Sequence, residues 1–135
     1  MAGYTAHIDG GARGNPGPAG WGAVITAPDG TVTELHGALP HATNNVAEYQ
    51  GLLETLRWCK EHGVTNLLVR SDSLLLVQQM RGVYKVKNEG LKPLSARARL
   101  LSHEIGRVAF EHVRREANVD ADRLANRAMD EAAGV

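Results

Sequence analysis

YTAHIDGGARGNPGPAGWGAVITA, residues 4–27, sets the reading of the fold. Tyr4, Ala6 and Ile8 alternate with Thr5, His7 and Asp9, the period-two pattern of a strand with one buried face. That strand, Tyr4 to Asp9, passes into the glycine- and proline-rich GGARGNPGPAG, read as a turn region. GWGAVITA supplies a second strand, and Pro28-Asp29-Gly30 a turn. Thr31 to Leu39, rich in β-branched and apolar residues, is a third strand that forms a hairpin with the second.

Downstream the period changes. From Asn44 to about Glu61 the apolar residues Val46, Tyr49, Leu52, Leu53, Leu56 and Cys59 fall at helical spacing, with Thr43 or Asn44 as cap and Gly63 as stop. Thr65 to Arg70 reads as a short buried strand of the parallel type. Helices follow over Ser73–Met80 and from about Glu89 to Ile105, then a strand over Gly106–Val113 and a last helix over Val119–Ala133. Three consecutive strands, then strands alternating with helices, define a mixed α/β sheet covered by helices.

The 135 residues suit one domain spanning 1–135, with 43% hydrophobic and 22% charged residues. Cys59 is the single cysteine, so no intrachain disulfide can form, in keeping with a reducing compartment. MAGYTAHIDGG lacks the pattern of a signal peptide, and no apolar run is long enough to span a bilayer. A cytoplasmic monomer with no membrane partner is expected. Fifteen Lys+Arg balance fifteen Asp+Glu, but residues 81–99 hold six basic residues against one acid, Glu89. Charge alone makes that segment a solvated helix face unless a phosphate backbone lies nearby. Aromatics are 4% of the chain, too few for a stacking surface on single strands, so Trp21 and Trp58 are assigned to packing.

The chemistry lies in acids. Asp9 ends the first strand and Asp72 follows the fourth, and sites in open α/β sheets form beyond the carboxyl ends of strands. Either alone is ordinary turn or cap chemistry. Glu48 lies at the edge of its helix's apolar stripe, where a carboxylate needs a partner, a raised pKa or a metal. Asp122 opens the last helix, and periodicity does not separate it from Asp120. Four carboxylates meeting at one end of the sheet need compensating charge, and hard, oxygen-seeking Mg²⁺ is the common solution. There is no zinc-type His/Cys spacing, no P-loop lysine motif, no GxSxG and no complete GxGxxG.

IDGGARGNPGPAGWGAV, ATNNVAEYQGLL, VRSDSLLLVQQM and ANVDADRLANRAM resemble, in order and spacing, the four motifs of the type 1 ribonucleases H, and together span nearly the whole chain. The resemblance implies a ribonuclease H-like fold, a five-stranded mixed sheet in the order 3-2-1-4-5 with helices on both faces. It implies that Asp9, Glu48, Asp72 and Asp122, the last chosen over Asp120, hold two Mg²⁺ ions, with Mn²⁺ able to substitute. The implied reaction is endonucleolytic hydrolysis of the RNA strand of an RNA/DNA hybrid, leaving 5′-phosphate and 3′-hydroxyl ends. It also implies that Gly11, Ala12, Asn15, Asn44 and Asn45 read the 2′-hydroxyl and minor groove, and that Thr43 and Asn88 form a phosphate pocket for the DNA strand. On the residues alone, Asn15, Asn44 and Asn45 have turn and cap duty. A phosphate at Asn88 makes Lys85 and Lys87 binding residues.

Two features depart from longer members of that family. The basic, Trp-containing insertion between the middle helices is absent, since Met80 to Tyr84 leads directly into YKVKN. The loop after the last strand, RREANVDADRLA, is short and lacks the family's loop His. Arg114 or Arg115 is the candidate substitute, while His112 reads as a packed or edge histidine inside the strand. Double-stranded RNA as substrate, and a non-catalytic hybrid-binding module, are the competing readings. The four acids weigh against the module, because a pure binder gains nothing from negative charge near phosphates. Transposases and integrases share the fold, but their additional DNA-binding segments have no counterpart here.

Overall fold

The structure is a computed structural model that describes residues 3–135; Met1 and Ala2, the head of the segment inspected for a leader, lie outside the described residues. The elements are β1 (Tyr4–Ala12), β2 (Gly17–Thr26), β3 (Val32–Ala42), α1 (Asn44–Glu61), β4 (Asn66–Ser71), α2 (Leu74–Met80), α3 (Lys92–Ile105), β5 (Arg107–His112) and α4 (Val119–Ala133). They form one five-stranded sheet in the order β3-β2-β1-β4-β5. β1, β2 and β3 pair antiparallel, and β4 runs parallel to both β1 and β5. α1 and α3 cover one face over a core that includes Ile8, Ile25, Leu52, Leu56, Leu67 and Leu101. α4 covers the other face, burying Ala121, Leu124, Ala125 and Ala128. No helix among the described residues is long and apolar enough to cross a membrane.

The sequence places the elements in their correct order, and the larger boundary differences fall at the glycine-rich stretch, the end of β3 and the start of α3. The glycine-rich stretch is mostly strand: Gly10, Gly11 and Ala12 pair with Trp21, Gly20 and Ala19, so only residues 13–16 turn. The glycines are there for close approach. A Cβ on Gly20 would meet the Ala128 Cβ at 2.5 Å, and one on Gly22 the Leu124 Cβ at 2.5 Å, so their absence lets α4 lie flat on β2. Asp9 therefore sits inside β1 and does not end it, opposite Gly22. β3 continues past Leu39 through Pro40, which an edge strand tolerates because its outer N–H has no partner to lose. α3 starts at Lys92 and not near Glu89, because Pro93 suits a first helical turn and Asn88 holds a turn before it through Gly90 N–H to Oδ1 at 2.8 Å.

Candidate active site

β1 and β4 lie side by side and parallel, with Ile8 opposite Ser71 as the last pair. The next residues are Asp9 and Asp72, so register alone brings the two carboxylates to the same end of the sheet. α1 delivers the third. A Cβ on Gly10 would lie 2.5 Å from the Glu48 nitrogen and 2.6 Å from the Ala47 carbonyl carbon. Only a glycine lets the helix backbone settle on the strand there and bring Glu48 beside Asp9. Carboxylate oxygens of Asp9, Glu48 and Asp72 lie within 4.8 Å of one another, a group that can hold a metal ion. Asp122, on the first turn of α4, lines the same cleft, an open space of ≈ 790 Å³, whereas Asp120 points to a separate hollow beside His7.

The acids perturb one another. Burial, reinforced by the Asp72 charge and a hydrogen bond with Asp122, pushes the Asp9 carboxyl up to about 8, against a smaller downward pull from the Gly10 N–H, which donates to Oδ1 at 2.9 Å. Burial and then Asp72 push Glu48 up to about 7, with the Ser73 hydroxyl pulling the other way. Asp72 is raised chiefly by burial, while its bond to Asp9 and the nearby Arg115 cation favour its ionised form. Without a cation the group as a whole therefore holds protons more readily than free carboxylates do. Upward shifts in mutually close, half-buried carboxylates show charge left uncompensated by the protein itself. An all-oxygen donor set of this kind fits a hard divalent cation.

The parts around the acids are fixed by hydrogen bonds. Ser73 caps α2, its Oγ accepting from the Leu76 N–H at 3.2 Å, and its hydroxyl bonds Glu48. Thr43, not Asn44, caps α1, accepting from the Val46 N–H at 3.2 Å. Asn44 Oδ1 instead accepts from the Ala12 N–H at 2.7 Å, and Asn15 Oδ1 accepts from the Asn44 N–H at 3.0 Å. The turn after β1 and the start of α1 are thus tied together. Gly11, Ala12, Asn44, Asn45, Arg114 and Arg115 line the cleft with the acids. Asn15, Thr43, Lys85, Lys87 and Asn88 do not line it; the last three are exposed on the α2–α3 connection.

Sequence reasoning passed over Asn118 and Arg13 here and read His112 only as a packed or edge histidine. Asn118 is 1% exposed, and its Nδ2 donates to the Ile8 carbonyl at 2.9 Å, fastening the start of α4 beside Asp9. Its sequence position suggests a helix cap, yet it makes no side-chain cap bond; the contact spans 110 positions and leaves no local trace. His112 ends the edge strand β5 and also lines the cleft, with Nε2 3.3 Å from the Asp72 carbonyl oxygen. Since a carbonyl only accepts, that nitrogen carries the hydrogen. Arg13 lines the cleft from the turn after β1.

Residues 7–128 match the family model described as reverse transcriptase-like. The chain is 50% identical over 127 residues to "Bifunctional protein Rv2228c" of Mycobacterium tuberculosis, covering 93% of this chain and 35% of that protein. The chain thus spans about a third of the length of the curated relatives it first matches. It superposes on the N-terminal RNase H domain of Rv2228c with a TM-score of 0.95 at 46% identity, covering 99% of this chain and 98% of that one. It superposes on LC11-RNase H1, solved in complex with an RNA/DNA hybrid, with a TM-score of 0.90 at 42% identity, covering 96% and 99%. Sheet order and neighbours define the ribonuclease H-like class. Within it, the chain belongs to the type 1 ribonuclease H family.

Proposed function

We propose that the protein is an endonuclease that hydrolyses the RNA strand of RNA/DNA hybrids with two Mg²⁺ ions, Mn²⁺ substituting, and acts as a monomer. The observation that carries this reading is the meeting of Asp9, Glu48, Asp72 and Asp122, from four separate elements, in one open cleft. The similarity to a relative solved with a hybrid supports the substrate class.

In this reading the four carboxylates are the metal ligands. Two ions between them would activate a water and stabilise the leaving oxygen of the phosphodiester. The chain's own residues set the geometry. The Gly10 N–H orients the Asp9 carboxylate, the Ser73 hydroxyl orients Glu48, and His112 steadies the backbone at Asp72. Asn15 and Asn44 hold Ala12 and, with it, Gly11 in position, so that these backbone groups and Asn45 can read the 2′-hydroxyl that distinguishes RNA from DNA. Thr43, Lys85, Lys87 and Asn88, outside the cleft, are assigned to the phosphates of the DNA strand. Arg115, whose charge acts on Asp72, is assigned to attract the scissile phosphate in place of the loop histidine, with Arg114 as the alternative; both line the cleft.

The test is cleavage of a labelled hybrid with Mg²⁺, alongside single-stranded RNA, duplex RNA and duplex DNA, with Asp72→Asn as control. The expected result is cutting of the hybrid's RNA strand alone and an inactive variant. Comparable cutting of duplex RNA would widen the substrate. Hybrid binding without cleavage, with Mg²⁺ or Mn²⁺, would leave a binding module.

A further inference from the structure

Arg13 lines the cleft from the turn between β1 and β2, and no role in the reaction described above uses it. Its Nη1 lies 2.6 Å from Asp130 Oδ1, and its Nη2 is 3.5 Å from the Asn126 carbonyl oxygen, both on α4. Side chains of the pair are 43% and 49% exposed, and an ion pair so open to water holds its partners weakly. A guanidinium has five N–H donors in a planar fork suited to phosphate. This one spends two of them on α4 and faces a cleft that, in the proposed function, receives a polyanion.

We propose that Arg13 binds a backbone phosphate of the hybrid away from the reacting phosphodiester, with Asp130 holding the guanidinium in place until substrate arrives. This rests on the hybrid-cleaving reading above. Its partners Asn126 and Asp130 lie roughly 6 to 12 Å along α4 from Asp122, at about 1.5 Å per residue. Arg13 is therefore a binding residue, not a catalytic one. Its place also answers a problem of charge. The chain has no net charge, and the cleft gathers acids, so affinity for a polyanion depends on the few cations at its rim.

The experiment measures hybrid binding by fluorescence anisotropy with Mg²⁺ between about 50 and 200 mM salt, in the Asp72→Asn background so that the strand stays whole. Arg13→Ala should weaken binding by about fivefold and lower the slope of log affinity against log salt by about 0.7–0.9, the loss of one phosphate contact. Arg13→Lys should keep most of the slope. Asp130→Ala should bind at least as tightly as its parent, and that gain should vanish when Arg13→Ala is added. In the otherwise wild-type enzyme the loss should appear in KM more than in kcat. An unchanged slope in Arg13→Ala overturns the proposal. So does equal weakening by Arg13→Ala and Asp130→Ala with a matched fall in Tm, which would make the pair a tether of the turn. If the wild type neither binds nor cuts hybrid, the functional reading falls and takes this proposal with it; if wild type cuts hybrid and only the Arg13 effects are missing, this proposal alone falls.

Discussion

Where β1 meets α1, two backbones pack so closely that no side chain fits between them at Gly10; where β5 meets α4, the chain runs through solvent-exposed Arg114 to Ala117 before Asn118 turns inward. Both junctions deliver a carboxylate to the same cleft, Glu48 from the first and Asp122 from the second. The first fixes its acid by steric exclusion over a continuous contact. The second seats its acid on a helix packed against the glycines of β2, and the Asn118 amide, donating to the Ile8 carbonyl, fastens the start of that helix. One wall is thus closed by backbone contact at the acid itself, and the other joins a packed helix to an exposed connection that a buried amide pins to the sheet.

Gly10→Ala is the strongest way to break the contrast. The new methyl would meet Glu48 and Ala47 backbone, which cannot rotate away, so strand and helix must separate. Overpacking of this kind costs about 1–3 kcal/mol, and a displacement of about 1 Å in Glu48 lowers kcat on the order of 100-fold. Urea denaturation and single-turnover cleavage check the two parts. Asn118→Ala attacks the other junction. It leaves the buried Ile8 carbonyl without its donor and should cost about 1–3 kcal/mol. If the second wall hangs on that bond, the activity loss should exceed what the fall in stability explains; equal activity in the folded variant would show that packing of α4 alone seats Asp122.

Protonation of the acids offers a third test. Asp9 and Glu48, at about 8 and 7, stand above their ordinary values of 3.8 and 4.5. A group raised on folding contributes stability that is complete below the unfolded value and is lost as pH rises through the folded one. Metal-free protein should therefore lose Tm as pH climbs from about 4 to about 8, since the folded state then binds more protons than the unfolded state. A divalent cation should remove this slope and raise Tm most at the alkaline end, as ligand binding to the folded state alone requires. A flat metal-free profile in scanning calorimetry would refute the upward shifts that burial, reinforced by Asp72, imposes on Asp9 and Glu48.

Smaller effects sharpen the picture. Arg115→Ala should lower kcat by more than twofold, or more than about 0.5 kcal/mol, with Arg114→Ala the milder of the two. If both stay within twofold, neither replaces the loop histidine. Asn44→Ala removes one exposed-side hydrogen bond to Ala12 and should cost about 0.5–1.5 kcal/mol in stability, read from the denaturation midpoint.

Much of this was legible in the chain as written. Alternation around Ile8, helical spacing from Val46 to Cys59 and the capping residues gave the order of elements, because those signals are local and repeat within a few residues. The acids could be picked out singly, since Asp72 follows a strand, Glu48 and Asp122 lie near helix starts, and Asp9 precedes a glycine pair that reads as the end of a strand. Their meeting could be expected only through family resemblance, as spacing carries no distance between Asp9 and Asp122. The glycines after Asp9 misled in the other direction. A glycine that permits a turn and one that admits a neighbouring helix look identical in sequence, and Gly10 proved to be the latter.

The sequence by itself determined the periodicities, the caps and the carboxylates available for chemistry, all properties of residues a few positions apart. Only the tertiary structure decided how closely the carboxylates approach, which end of α4 faces the cleft, that His112 and Arg13 line it, and that Asn118 fastens α4 beside it. These depend on contacts across 40 to 113 positions of chain, such as His112 with Asp72 and Arg13 with Asn126, and on burial. Neither exists until the sheet has brought distant segments together and excluded water from between them.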